Sequence, residues 1–369
     1  MSRGIPAAIL RDYVVDALQA HGVSSAQAQM AAMALVDADL LGMDTHGVAH
    51  LLSHPSYIPG LQSGLVNAQP AVRVQDLAPN LMMVDGDHGM GLVAMATALD
   101  AARVRCKATG MAVAWVRHSY HAGALATYTR NGALDGLLTM AVTSTRPSVA
   151  PTYGIRAALG TNAISVGVPY EAGRPLLLDM ATSAVAAGKI EQARREQRPI
   201  PEGWIIDRDG RNSTDPAAYF DGGALLPLGS SPAMSSYKGY GLAVMVDVLA
   251  GVLSAMGHSL RLPTHGHAHM IACIDVERVR PFADFQHGIQ QMVDDLHQIP
   301  AVPGQRVLVP GEREWQTYQE RTHNGIPVSV PVLEGLWQFA ADHGLTSQAA
   351  RLSQYRTPRS GQTQGLSGA

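Results

Sequence analysis

Five short apolar runs, at residues 111–116, 137–143, 164–168, 176–178 and 270–274, constrain this chain more than any other feature, because helical segments lie between several of them. Runs this short suit strands, so the expected architecture is mixed α/β. Residues 5–20 carry apolar side chains at helical spacing and stop at Gly22, and Ser24-Ser25-Ala26-Gln27 is a capping-box pattern opening a second helix to about Leu41. Residues 91–108 repeat that logic, with Leu92, Met95 and Leu99 on one face and Gly110 where a C-terminal cap belongs. Toward the end come a helical pattern over 281–297, a Pro/Gly-rich connection, Val307-Leu308-Val309 and a last helix over 332–343. Residues after Tyr355 read as a loose tail. No internal repeat interrupts this order, which points to one cooperative unit with two lobes.

With 369 residues, 46% of them hydrophobic, the chain can bury a substantial core. A net charge of −3 without a block of like charges argues against nucleic acid or a membrane surface as partner and for a small molecule. Two cysteines, Cys106 and Cys273, offer neither a disulfide framework nor a thiolate metal site and fit a reducing cytoplasm. The first residues lack a signal-peptide apolar core, and Asp247 and Gly251 interrupt the longest apolar helix, so neither secretion nor membrane spanning is expected.

Four clusters could carry chemistry. Asp44-Thr45-His46-Gly47 follows the second helix, with His50 one helical turn beyond, and an imidazole exchanges protons at low cost near neutrality. The plain alternative is a helix cap beside a surface histidine. Arg117-His118-Ser119-Tyr120-His121-Ala122-Gly123 lies where a strand ends and a helix begins, the place where ligand sites concentrate in α/β proteins; His121 could equally be satisfied by the turn. Gly160-Thr161-Asn162 precedes Asp179-Met180-Ala181-Thr182-Ser183, whose aspartate could fix the tautomer of a histidine or simply cap a helix over 185–191. Tyr237-Lys238-Gly239-Tyr240-Gly241 enters the apolar helix with a lysine and small residues, suited to a phosphate.

Other patterns carry less. His265, His267 and His269 could share one face of a strand and bind zinc in a metal-dependent hydrolase, but no acidic or thiol ligand accompanies them and the same spacing suits an exposed strand, so no metal is expected. Gly86-Asp87-His88-Gly89-Met90-Gly91 has its glycines in the wrong order for a dinucleotide fingerprint, and no βαβ unit is evident around it.

Taken in order, the clusters resemble the type-2 malate/L-lactate dehydrogenase family, which includes ureidoglycolate and sulfolactate dehydrogenases, diketogulonate reductase and the cyclic-imine reductases. The carriers are the stretch 38–47 ending in Thr45-His46-Gly47, the stretch 85–91, His118 to Gly123, Gly160-Thr161-Asn162, the Asp179 segment, Lys238 to Gly241 and Pro310-Gly311-Glu312. The resemblance implies a non-Rossmann NAD(P)-binding α/β fold with a mixed sheet and a helical N-terminal lobe. It also implies a homodimer and NAD- or NADP-dependent interconversion of 2-hydroxy and 2-oxo acids, with a cyclic imine acid or diketo sugar acid as the alternative substrate. The implied lobes are residues 1–75 with 305–350 packing nearby, a cofactor-binding core at 76–304 and a tail at 356–369. His46, charged and held by Asp179, is the implied acid/base, with His121 its rival; Thr45 and His50 would meet substrate. His121, Thr145, Thr161, Asp179, Met180, Ala181, Lys238, Gly311 and Glu312 would hold the cofactor. Where many members place an arginine four residues after the catalytic histidine, this chain has His50.

Overall fold

The amino-terminal helices form where spacing and capping agree. Helix Ala7–Gln19 buries Leu10, Tyr13, Val14, Ala17 and Leu18 along one face, and Ser24 accepts the Gln27 N–H at the start of Ser25–Leu40. Helix Gly91–Thr109 stops at Gly110, which takes the left-handed φ of +90° that glycine tolerates. The computed structural model describes residues 4–171 and 173–356. Apart from Arg356, the expected tail lies outside the described residues.

The main sheet has seven strands: β1 (Arg73–Ala78), β2 (Leu81–Gly89), β3 (Met111–Ser119), β4 (Leu137–Ser144), β5 (Ile164–Glu171), β6 (Arg174–Met180) and, late in the chain, β10 (His267–Asp275). Between β6 and β10 a small sheet forms from β7 (Ile205–Ile206), β8 (Asn212–Ser213) and β9 (Ala224–Leu225). The main order is β1-β2-β3-β10-β4-β5-β6. Every neighbouring pair is antiparallel except β2 with β3, which run parallel. The sheet is therefore mixed, and the parallel pair corrects one expectation: β2, helix Gly91–Thr109 and β3 make a βαβ unit directly around the 86–91 glycine stretch. It escaped notice because β1 is exposed almost throughout and β2 carries Asp85, Asp87 and His88, so neither shows a clean apolar alternation.

Inserting β10 between β3 and β4 makes it the central strand, bonded on both sides. Of its first residues, His269 is fully buried and His267 half-buried instead of lying on an exposed strand, while His265 stays outside with a left-handed φ of +61°.

The largest core joins the amino-terminal helices, β2, β3, helix Gly91–Thr109 and the carboxy-terminal helices. Ile5 pairs with Ile326, and Tyr13 donates its hydroxyl to Leu336 O at 2.8 Å. Three helices close the chain: Glu312–Asn324, Val330–Asp342 and Thr346–Ser353. The helix expected over 332–343 is thus neither last nor alone. Glu312–Asn324 buries none of its residues fully, so it leaves no apolar stripe to read, and 307–309 is not a strand. No helix among the described residues is long and apolar enough to cross a membrane.

Candidate active site

Helix Ser25–Leu40 ends in a turn at Gly42, and the chain then makes two short 3-10 turns, Asp44–His46 and Val48–His50. The buried Asp39 carboxylate reaches across to accept the Val48 N–H at 2.9 Å. Gly47 is what permits this, because a Cβ there would lie 1.8 Å from Asp39 Oδ1. From the far end of the sequence, Arg321 bonds both Asp39 O and the Asp44 carboxylate, tying the loop to helix Glu312–Asn324. Burial pushes the Asp39 carboxyl up to about 7, helped by Asp44 and opposed by the Val48 N–H and Arg321.

So anchored, the loop presents His46, His50 and, one further step of four, His54. His46 and His50 have ring centroids 5.9 Å apart, and His50 and His54 5.3 Å. His121, from the loop after β3, packs against all three, at 5.5 Å from His46, 6.0 Å from His50 and 4.5 Å from His54. His267 adds a T-shaped contact to His121 at 5.6 Å, and His269 stands behind His267 at 6.2 Å. Six imidazoles drawn from three separate parts of the chain thus gather into one cluster. Burial, reinforced by neighbouring imidazoles at His46, His50 and His54, holds these three and His269 down to about 4; the same causes take His121 and His267 well below the ordinary histidine range.

The hydrogen bonds assign protons. Gly123 N–H donates to His121 Nδ1 at 3.2 Å, and an amide can only donate, so Nδ1 is the bare nitrogen; the Tyr57 hydroxyl reaches the same atom at 2.6 Å. Likewise Ser56 N–H donates to His54 Nδ1 at 3.1 Å, and His269 Nε2–H donates to Tyr120 O at 3.1 Å. His46 differs: its Nδ1 partner, at 2.9 Å, is the Thr45 hydroxyl, which can donate or accept. Thr45 in turn rests beside Gly188, where an added Cβ would come within 3.3 Å of its methyl.

The expected pairing of a charged His46 with Asp179 is not what forms. The Asp179 carboxylate accepts Ala126 N–H at 2.7 Å, anchoring the start of helix Ala126–Leu134 rather than a histidine or a helix near 185–191. Burial, with Glu314 adding and that N–H opposing, pushes Asp179 up to about 7. His46 is accordingly neutral at neutral pH.

Three of the loops implied for the cofactor are tied to one another, next to where Ser144 pairs with Ala268 between His267 and His269. Thr182 bonds Thr161 O through both its N–H (2.8 Å) and its hydroxyl (3.0 Å), which draws the Asp179-Met180-Ala181 segment against the 160–162 loop. Thr145 N–H donates to Asn162 Oδ1 at 3.1 Å, and Gly160 lies so close to Thr145 that a Cβ would meet its hydroxyl oxygen at 2.1 Å. Beneath them the buried Asp247 accepts from Ser144 Oγ (2.5 Å), Asn162 Nδ2 (3.0 Å), Ser259 N (3.0 Å) and Ser259 Oγ (2.8 Å). Lys238 is exposed on the first turn of helix Tyr237–Val246, and Gly241 beside it faces open space. Gly311 and Glu312 sit apart, lining a cavity of about 210 Å³ with Tyr170, Arg174, Asp294 and Trp315; Glu312 Oε2 already accepts Val309 N–H (2.8 Å) and pairs with His297 (3.2 Å).

Sequence reading missed Asp39, Tyr57, Arg321 and Asp247, whose roles come from distant parts of the chain. His54 did carry a signal, the four-residue step from His46 and His50. Among the described residues no group of three or more histidine, cysteine or acidic side chains is arranged to hold a metal ion.

A malate/L-lactate dehydrogenase family profile matches residues 5–337. The malate dehydrogenase of Pyrococcus horikoshii is 37% identical over 348 residues, covering 92% of this chain and 96% of the relative. A Pseudomonas putida Δ1-pyrroline-2-carboxylate/Δ1-piperideine-2-carboxylate reductase is 30% identical over 340 residues, covering 90% and 95%. The solved structure of malate dehydrogenase from P. horikoshii OT3 superposes with a TM-score of 0.84 at 35% identity, covering 93% of this chain and 96% of that one. With its mixed sheet, its paired histidine loops and these likenesses over nearly its whole length, the chain belongs to the malate/L-lactate dehydrogenase family.

Proposed function

We propose that this protein is an NAD(P)-dependent oxidoreductase that interconverts a 2-hydroxy acid and a 2-oxo acid, with His46 as the acid/base. The observation that carries the choice of His46 is its partner. At His121 and His54 an amide N–H holds Nδ1 as an acceptor, so a proton arriving there would displace that bond. Only at His46 does the anchoring group, the Thr45 hydroxyl, accept as readily as it donates. A neutral His46 whose Nδ1–H points to Thr45 Oγ1 has a bare Nε2, which takes the hydroxyl proton during oxidation and returns it during reduction. Burial favours the neutral form that oxidation requires.

Thr145, Thr161, Met180, Ala181 and Lys238 would hold the dinucleotide, since the loops of the first four are bonded to one another where β4 runs beside the histidine-bearing strand and Lys238 is exposed at a helix start with open space next to it. When bound, that group supplies or accepts the hydride. Asp179 positions helix Ala126–Leu134 and thereby the His121 loop. In this reading Gly311 and Glu312 serve the fold. A homodimer completes the proposal: Leu242, Met245, Val248, Val252 and Leu253 form an exposed apolar stripe along one helical segment, the kind of surface a second copy would cover.

The test is loss of reduced-nicotinamide absorbance with NADH and NADPH against a panel of 2-oxo acids and cyclic imine acids. Turnover of a 2-oxo acid is expected, and His46→Ala should lower it by about 10²–10⁴-fold with little change in cofactor affinity. Unchanged turnover in that variant would pass the role to His121, and absence of cofactor binding would end the dehydrogenase reading. Sedimentation analysis tests the dimer.

A further inference from the structure

We propose that the histidine cluster takes up an anionic substrate together with a proton, His50 becoming the imidazolium that receives the carboxylate. This rests on the 2-oxo acid reading above. A carboxylate brought out of water needs a positive partner, yet the groups whose charges bear on His46, His50, His54, His121 and His267 are other imidazoles. His50 faces His46 and His54 on its own segment and His121 from the loop after β3, with His267 and His265 from the β10 side beyond His54 and His121. The charged groups that anchor the loops are committed to one another or to backbone: Arg321 to Asp44 and Asp39 O, Asp39 to Val48 N–H, Asp179 to Ala126 N–H.

His50 stands out in this ring. Its Nδ1 is buried without a hydrogen-bond partner among the described residues, whereas His46, His54 and His121 each have their Nδ1 engaged and His269, whose Nδ1 is also unpartnered, is pinned through Nε2 to Tyr120 O behind His267. Protonation turns both its nitrogens into donors, and a carboxylate offers acceptors to match. Burial, and then repulsion from any neighbouring imidazolium, disfavours the charge until an anion arrives, so the proton is drawn from solvent on binding and released with the ligand. A guanidinium, always charged, would show no such linkage.

The experiment is calorimetric titration of the cofactor-bound enzyme with oxamate, an unreactive 2-oxo acid mimic, in buffers of different ionisation enthalpy. Between about pH 6 and 8 the wild type should lose about tenfold in affinity per pH unit and take up close to one proton per site. His50→Gln should abolish the uptake and flatten the profile, His46→Gln should keep both, and His50→Arg should bind with a flat profile. Wild-type binding that is independent of pH without proton uptake overturns the proposal, as does uptake that survives His50→Gln. Both outcomes leave the oxidoreductase reading standing. Failure of oxamate to bind, together with no turnover of any 2-oxo acid, removes that reading and this inference with it.

Discussion

The histidine pocket and the Asp247 knot are both polar clusters held out of water, and they are finished to opposite standards. Asp247 receives four hydrogen bonds from three residues, and every oxygen has a donor. The pocket leaves His50 Nδ1 and His269 Nδ1 buried without partners among the described residues and holds its imidazoles uncharged. A satisfied network fixes a shape, here that of the 160–162 loop; an under-satisfied one keeps bonding capacity for a ligand. The difference separates a closed network from one with bonding capacity to spare.

Breaking the scaffold should have the largest effect on stability. Asp247→Ala orphans Ser144, Asn162 and Ser259 and should cost about 3 kcal/mol or more by denaturant titration, while Asp247→Asn, which keeps one acceptor, should cost less. A loss below about 0.5 kcal/mol for the alanine variant would mean that the knot is not a structural unit.

Gly47→Ala tests the loop that aims His46. Its Cβ would enter the Asp39 carboxylate, so the Val48 bond must break or the loop must shift. Because 1 Å of misplacement can cost about 10²-fold, turnover should fall by more than tenfold while the thermal midpoint moves by only a few degrees. Equal damage to both would place Gly47 with the scaffold.

Acidification should separate the clusters by charge. Histidines held near 4 in the fold and near 6.5 unfolded give stability that is present above 6.5 and lost as pH falls toward 4. Asp39 and Asp179, raised from 3.8 to about 7, act oppositely: their contribution is full below 3.8 and is lost as pH rises through 7. Six imidazoles oppose two carboxyls, so the thermal midpoint should drop between pH 6.5 and 4. A flat or rising midpoint would contradict the buried, uncharged pocket. The smallest effect belongs to Tyr57→Phe, which removes one of two donors from His121 Nδ1 and should cost about 1 kcal/mol of stability with turnover changed only a few-fold, by steady-state kinetics.

Much of this was legible in the chain itself. Apolar spacing located the two amino-terminal helices and the helix before Gly110, because cap and stripe are local properties. The short runs marked β3 to β6 and β10, and the ordered motifs led to the family. β1, β2 and helix Glu312–Asn324 stayed hidden, since exposed or charged faces erase the periodic signal. His46 and His121, read from the sequence as rival acid/bases, stand against each other, yet the carboxylate expected beside His46 was Asp179, and the one that shapes the loop is Asp39.

What the sequence by itself determined, then, is where the capped and apolar-striped elements lie and which side chains are able to exchange protons near neutrality, since both follow from residue type and short-range spacing. Only the tertiary structure decided that β10 would carry His267 and His269 into the pocket, that Arg321 would close the loop from 277 positions away, and that the imidazoles would be uncharged. Those outcomes depend on burial and on contacts between residues remote in sequence, and a protonation state belongs to the surroundings of a group rather than to the group alone.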